Sequence, residues 1–277
     1  MKKWLFLLLL FPLTCVAQTY QYLGVEDGLS NRRVYYIQKD NVGYMWFLTH
    51  EGIDRYNGKE FKRDKLMDGD KELNSLLNLN WLYIDPEGTL WEIGKKGKIF
   101  RYDRIHDTFE LVYKLPIEDF KDLPAPITFS WIDHNNHIWL CNEETIFLYN
   151  TRTEEVTHVK NCLSEAINDI EQIDESHYFI GTEMGIHHAQ LKNNTLQLLP
   201  CDKLDNVNIQ VNDLHFDPKI RKLFIGAFER GVMVYDMNTK TITQPEVSLK
   251  DVSISRIKPL NAKELLIATD VAARGID

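Results

Sequence analysis

The chain has 277 residues, of which 44% are hydrophobic and 26% charged, with 32 Lys and Arg against 41 Asp and Glu for a net charge of −9. A chain this long can bury a sizeable core. The acidic balance, with no basic stripe along the sequence, argues against nucleic acid or an anionic lipid surface as a partner.

Residues 1–17 read MKKWLFLLLLFPLTCVA: two lysines, an apolar run, and a small residue before Gln18. This is the pattern of a secretory signal peptide. The run is shorter than the roughly 20 residues a spanning helix needs, and Pro12 interrupts it. Pro12-Leu13-Thr14 before Cys15 is a poor lipobox. The expected mature unit is therefore one domain over residues 18–277. Cys141, Cys162 and Cys201 remain in it. An odd count at irregular spacing is not a disulfide framework, although Cys162 with Cys201 stays open as one pair.

The next segments set the fold class. Residues 34–38 are apolar and aromatic enough for a strand, and Asp40, Asn41 and Gly43 form a turn in which Gly43 can take positive φ. Residues 45–48 are a second strand, and His50-Glu51-Gly52 turns the chain again. Residues 53–56 alternate as a third strand, and Asn57-Gly58 signals a hairpin to a fourth near Phe61. The same pattern recurs over residues 80–103, 128–150, 167–191, 211–237 and 254–277, with bulky positions at Trp46, Trp91, Trp139, Phe179, Phe224 and Leu266. Outer strands are expected around Phe61, Phe109, Val156, Leu196 and Ile242. A period of about 40 to 50 residues with four short strands per unit predicts propeller blades. The expected class is all-β: five full four-stranded blades and an incomplete sixth. Trp46, Trp91 and Trp139 should lie buried between sheets. Residues 20–23 precede the first blade in the phase of an outer strand, and such a strand typically closes the last blade of a ring.

Residues 20–58 resemble the first repeat of the periplasmic propeller in hybrid two-component sensors of polysaccharide-using bacteria. The resemblance rests on Asp27-Gly28-Leu29-Ser30, Asp40, Gly43, Trp46-Phe47, Thr49, Gly52 and Arg55-Tyr56. Later repeats match as degenerate copies, to about residue 270. Leu48 replaces a usual small residue, and Asn136 and Thr145 stand where blade glycines are expected. The resemblance implies a ring of seven blades, of which this chain would be a fragment. It also implies sensing of oligosaccharides released from polysaccharides, an inner-membrane anchor outside this chain, and signalling to a histidine kinase. A chain whose ring is open at both ends is expected to be poorly soluble or to pair with a second copy.

No catalytic, cofactor or metal motif stands out: there is no Gly-x-Ser-x-Gly elbow, phosphate-binding loop, His-Glu-x-x-His or paired-cysteine site. His134 and His137 occupy a turn, and His187 and His188 point to opposite faces of a strand. Residues 268–277 resemble a short helicase motif, with nothing of that family beside it. Recognition through loops is what remains. The turns between second and third strands, with the linkers, should share one face, which carries Arg32, Arg33, Glu51, Lys95, Lys96, Glu183, Glu229 and Arg230. Such residues suit an oligosaccharide or another small polar ligand. Two rivals remain: a secreted propeller lyase or hydrolase acting on glycans, its carboxylates paired across the central channel, and a propeller that docks a protein.

Overall fold

The computed structural model describes residues 21–73, 80–94, 96–115, 127–163, 165–201, 203–205, 207–245, 249–261 and 264–270. Apart from a 3-10 turn at Val25–Asp27, every regular element among them is a strand. Blade 1 is β1 (Val34–Lys39), β2 (Met45–Thr49), β3 (Ile53–Tyr56) and β4 (Phe61–Asp64). After β5 (Leu66–Asp68) and β6 (Lys71–Glu72), blade 2 is β7 (Trp81–Ile84), β8 (Leu90–Ile93), β9 (Lys98–Asp103) and β10 (Thr108–Lys114). Blade 3 is β11 (Phe129–Ile132), β12 (His137–Cys141), β13 (Thr145–Asn150) and β14 (Val156–Lys160). Blade 4 is β15 (Ile167–Gln172), β16 (His177–Thr182), β17 (Ile186–Lys192) and β18 (Thr195–Leu199). Blade 5 is β19 (Val211–Asp217), β20 (Lys222–Ala227), β21 (Gly231–Asp236) and β22 (Thr241–Thr243). A sixth sheet has two strands among the described residues, β23 (Ile254–Pro259) and β24 (Leu265–Thr269).

This is the propeller expected from the repeats, with five four-stranded meanders and an incomplete sixth sheet. The first strand of each blade lies beside the first strand of the next, so the first strands are innermost. Blades 2–5 each bury both faces. Among the described residues the core falls into separate clusters, each between two neighbouring blades. Trp46 lies between blades 1 and 2, Trp91 between 2 and 3, Trp139 between 3 and 4, and Phe179 between 4 and 5. All four are at most 1% exposed, as expected for the tryptophans. The cluster between blade 5 and the sixth sheet is small, with Val232, Ile254 and Ile257 buried and Phe224 only partly so.

Each tryptophan is tied to the turn that precedes it. The indole N–H groups of Trp46, Trp91 and Trp139 donate to one oxygen of Asp40, Asp85 and Asp133 at 3.1, 2.8 and 3.0 Å. The other oxygen accepts turn amides: Val42, Gly43 and Tyr44 for Asp40, Thr89 for Asp85, Asn135 and His137 for Asp133. The left-handed residue the turn requires is Gly43 (φ 106°) in blade 1 and Asn136 (φ 67°) in blade 3, where asparagine tolerates that region. At the opposite end, Thr49 Oγ1 accepts the N–H of Glu51 and Gly52, and Thr182 Oγ1 those of Met184 and Gly185. In blade 3 Asn142 Oδ1 takes the N–H of Glu144 and Thr145. Those two bonds form the turn without a glycine at Thr145.

Two features depart from the sequence reading. The linker strand β5 pairs in parallel with β10, and β6 extends it, so blade 2 belongs to a six-stranded sheet. Leu66, 1% exposed, anchors this addition in the core. The second departure is the closing strand expected over residues 20–23. Tyr20 lies outside the described residues, Gln21, Tyr22 and Leu23 form no strand, and Tyr22 is 93% exposed. Among the described residues β24 has no third strand beside it.

Candidate functional site

The turns β2–β3, β8–β9, β12–β13, β16–β17 and β20–β21, with the linkers between blades, lie at one end of the sheets because every blade is an up-and-down meander. Arg32 and Arg33 sit in the linker to β1, Glu51 in the β2–β3 turn, Lys96 in the β8–β9 turn, Glu183 in the β16–β17 turn, and Glu229 and Arg230 in the β20–β21 turn. Lys95 lies outside the described residues. The structure draws the blade 1 members together. Glu51 faces Asn31 and Arg63, each at 3.4 Å, and Asn31 Oδ1 accepts the Arg33 N–H at 2.8 Å. Arg32 is 3.9 Å from Glu26 and largely exposed. The Glu229 N–H donates to Ser253 Oγ, and the Arg230 carbonyl accepts from Gln244. Each remaining residue stands on its own blade.

At this end a cleft of about 710 Å³ lies beside blade 4, which sequence reasoning did not single out. Met184, Leu198 and Leu204 give it an apolar wall, and Glu165, His187 and Asp205 a polar one. Glu165 accepts the Thr182 hydroxyl and lies 3.6 Å from His187 Nε2. His188 also lines it, and burial, then the charge of His177, pulls its imidazole below its usual range. Glu165 and Asp205 come from linkers of no recurrent spacing, so the sequence carried no signal for them. The adjoining adjacent-histidine motif alone marked the place.

The inner strands are joined mainly by side chains. Gln38 donates to the Leu82 carbonyl, Asn168 to that of Val211, and Asn212 to that of Ile254, at 3.2, 2.9 and 2.9 Å. Tyr83 donates to the Ser130 carbonyl. Asp169 accepts the Leu214 N–H at 2.7 Å, and Asp213 the Ile257 N–H at 2.6 Å and Arg256 at 2.9 Å. Burial, with repulsion from Asp213, pushes the Asp169 carboxyl well above the usual range; burial also raises Asp213, against Lys258 and Arg256. Asp169 and Asp213 stand on the neighbouring inner strands β15 and β19, and their bonds tie each strand to the next. Cys141 is buried, and Cys162 and Cys201 are free thiols. Among the described residues no group of three His, Cys, Asp or Glu could hold a metal, and no helix is long and apolar enough to cross a membrane.

No protein-family model matches the chain, and no curated protein matches it. Solved structures do. The extracellular domain of BT3049 from B. thetaiotaomicron, described as a hybrid two-component system, is 25% identical with a TM-score of 0.68, over 90% of this chain and 34% of that one. The chain is structurally similar to two-component sensor propellers. A second extracellular domain from that organism, BT4673, is 20% identical with a TM-score of 0.63, over 90% of this chain and 32% of its own. YCF48 from Cyanidioschyzon merolae is 12% identical with a TM-score of 0.61, over 82% of this chain and 74% of its own. The last two show the fold alone. The chain spans about a third of the length of both B. thetaiotaomicron domains.

Proposed function

We propose that the chain is a ligand-sensing propeller of a two-component regulatory system, exported by the leader at residues 1–17 and working in the periplasm. Residues 18–277 form its sensing unit. Its ligand is an oligosaccharide released from a polysaccharide, and the longer protein passes the signal to a histidine kinase. The observation that carries this reading is the likeness to the BT3049 extracellular domain, at 25% identity over 90% of the chain. The motif in residues 27–56 supports it independently. The rim adds a plausible surface, with charged side chains at Arg32, Arg33, Glu51, Lys96, Glu183, Glu229 and Arg230 beside an apolar-walled cleft. Sugars bind through such mixtures of polar groups and apolar patches.

Calorimetric titration of the purified chain with oligosaccharides from different polysaccharides tests it, with chromatography of the sugar afterwards. Saturable binding with the sugar recovered intact is expected, weakened when Arg32 and Lys96 are both changed to Ala. Turnover of the sugar would replace the sensor with a glycan-active enzyme. Absence of binding to every sugar by a folded protein would overturn the reading.

A further inference from the structure

Lys98 opens β9 and Lys114 closes β10, and the two are direct cross-strand partners. Like charges directly opposite each other weaken an antiparallel pair. Lys71 stands on β6, the outermost strand of the same sheet, and Lys96 in the β8–β9 turn. Lys71, Lys96 and Lys114 are exposed and Lys98 is half-buried. Burial pulls the Lys98 ammonium below its usual range; Asp68 opposes this, while Lys114, Lys96 and Lys71 add to it. Lys71, Lys96 and Lys114 therefore each lie within electrostatic reach of Lys98.

Internal acids balance Lys71, Lys98 and Lys114 only in part: Asp68 is the cross-strand partner of Lys71. Glu72 is taken by Lys65 at 2.8 Å. Glu92 is fully buried near Lys98, and burial pushes its carboxyl well above the usual range, offset only in part by the Asn80 N–H at 3.1 Å and by Lys98. Asp68 raises the Lys98 ammonium, against the three other lysines. Among the described residues Lys71, Lys98 and Lys114 make no ion pair. A chain of net charge −9 thus carries a local excess of positive charge at one end of this sheet, where strand pairing fixes the place of Lys98 and Lys114.

We propose that this corner of blade 2 binds the carboxylate or sulfate groups of an acidic oligosaccharide, an inference that rests on the ligand-sensing reading above. Strands β6, β5, β10 and β9 are consecutive, so the lysines span three strand spacings, about 14 Å. That is room for several sugar units with a charge on each. A short acidic chain touches only this corner, whereas an extended polyanion would also meet the acidic remainder of the surface. Lysine suits the role because its compact, mobile ammonium matches anions at variable spacing.

The test titrates the purified chain with an oligogalacturonate, a sulfated disaccharide, a neutral xylo-oligosaccharide and inorganic sulfate, each at low and high salt. We expect one of the two acidic sugars to bind about tenfold or more tighter than the neutral one, and the advantage to shrink in high salt. Which acidic sugar binds separates carboxylate from sulfate. A Lys98→Gln, Lys114→Gln double variant should lose that advantage while its melting temperature stays level or rises, since a like-charge pair has gone. Glu92→Gln should leave binding unchanged. The inference is overturned by equal acidic-sugar affinity in the double variant, by tighter binding of the neutral sugar, or by sulfate binding as well as either acidic sugar, which marks an adventitious ion only. Neutral-sugar binding alone would leave the sensor reading standing. Silence from every sugar would remove both.

Discussion

Asp40, Asp85 and Asp133 each serve two structures at once, a turn and a buried indole. Asp40 shows the consequence for titration: burial alone would raise its carboxyl, but Trp46 and three turn N–H groups outweigh it and leave it below the usual range. Asp85→Ala should cost about 1–3 kcal/mol, because the Trp91 indole N–H stays buried without an acceptor. Trp91→Ala should cost about 3–5 kcal/mol through the cavity it leaves. Urea denaturation measures both, and an Asp85→Ala variant as stable as the parent would refute the dual role. Asp64 behaves oppositely. Its side chain is buried at the blade 1–2 interface with neither oxygen hydrogen-bonded, and burial pushes its carboxyl up to about 7, against Arg55 at 3.6 Å. Arg55 is already committed to Asp107, whose carboxyl it holds far below the usual range together with Lys62 and Tyr102. The unfolded Asp64 ionises near pH 4 while the folded one keeps its proton to about 7. Stability should therefore fall as pH rises through that window and level off above it. Asp64→Asn should flatten the fall, and thermal melts between pH 5 and 8 that decline equally in both proteins would show that Asp64 is not its source.

At the scale of the element, most of the architecture was legible because each blade repeats one local code. Aspartate, a left-handed residue and a bulky strand recur, and every outer strand falls where that code puts it. The addition of β5 and β6 was not legible. Residues 66–72 carry no strand period of their own, and β5 forms only because β10 offers its edge. Tertiary proximity decides such a strand, and propensity does not. Leu66→Ala should cost about 2–5 kcal/mol, since its side chain packs with Trp46, Phe100 and Phe109. A change below about half a kcal/mol would mean that the added strand is incidental. The site was legible to the same degree and for the same reason. Counting strands gives the end on which Arg32, Glu51, Lys96, Glu183 and Glu229 lie. It cannot show that the Glu165 and Asp205 linkers line one cleft with His187, nor that Lys98 faces Lys114. Those juxtapositions depend on register and on linker paths that leave no period in the sequence.

For the whole molecule, the two outermost faces of the arc behave differently from those within it. In β1, Tyr36 turns toward blade 2 and packs against Tyr83, while Tyr35 and Ile37 on the other face are 50% and 54% exposed. At the far end Leu266 of β24 is 60% exposed. Along β24 one edge has no partner strand among the described residues. An uncovered apolar sheet face and an unpaired strand edge both favour association. The purified chain should accordingly self-associate as its concentration rises, measured by sedimentation velocity. An Ile37→Lys, Leu266→Lys double variant should shift it toward monomer without lowering its melting temperature, because neither side chain is buried in the core. The two changes matter differently if one face acts alone: Ile37→Lys then suffices and Leu266→Lys does nothing, or the reverse. A parent chain that sediments as a single monomer at every concentration would mean that these faces are too small or too well hydrated to attract a second copy.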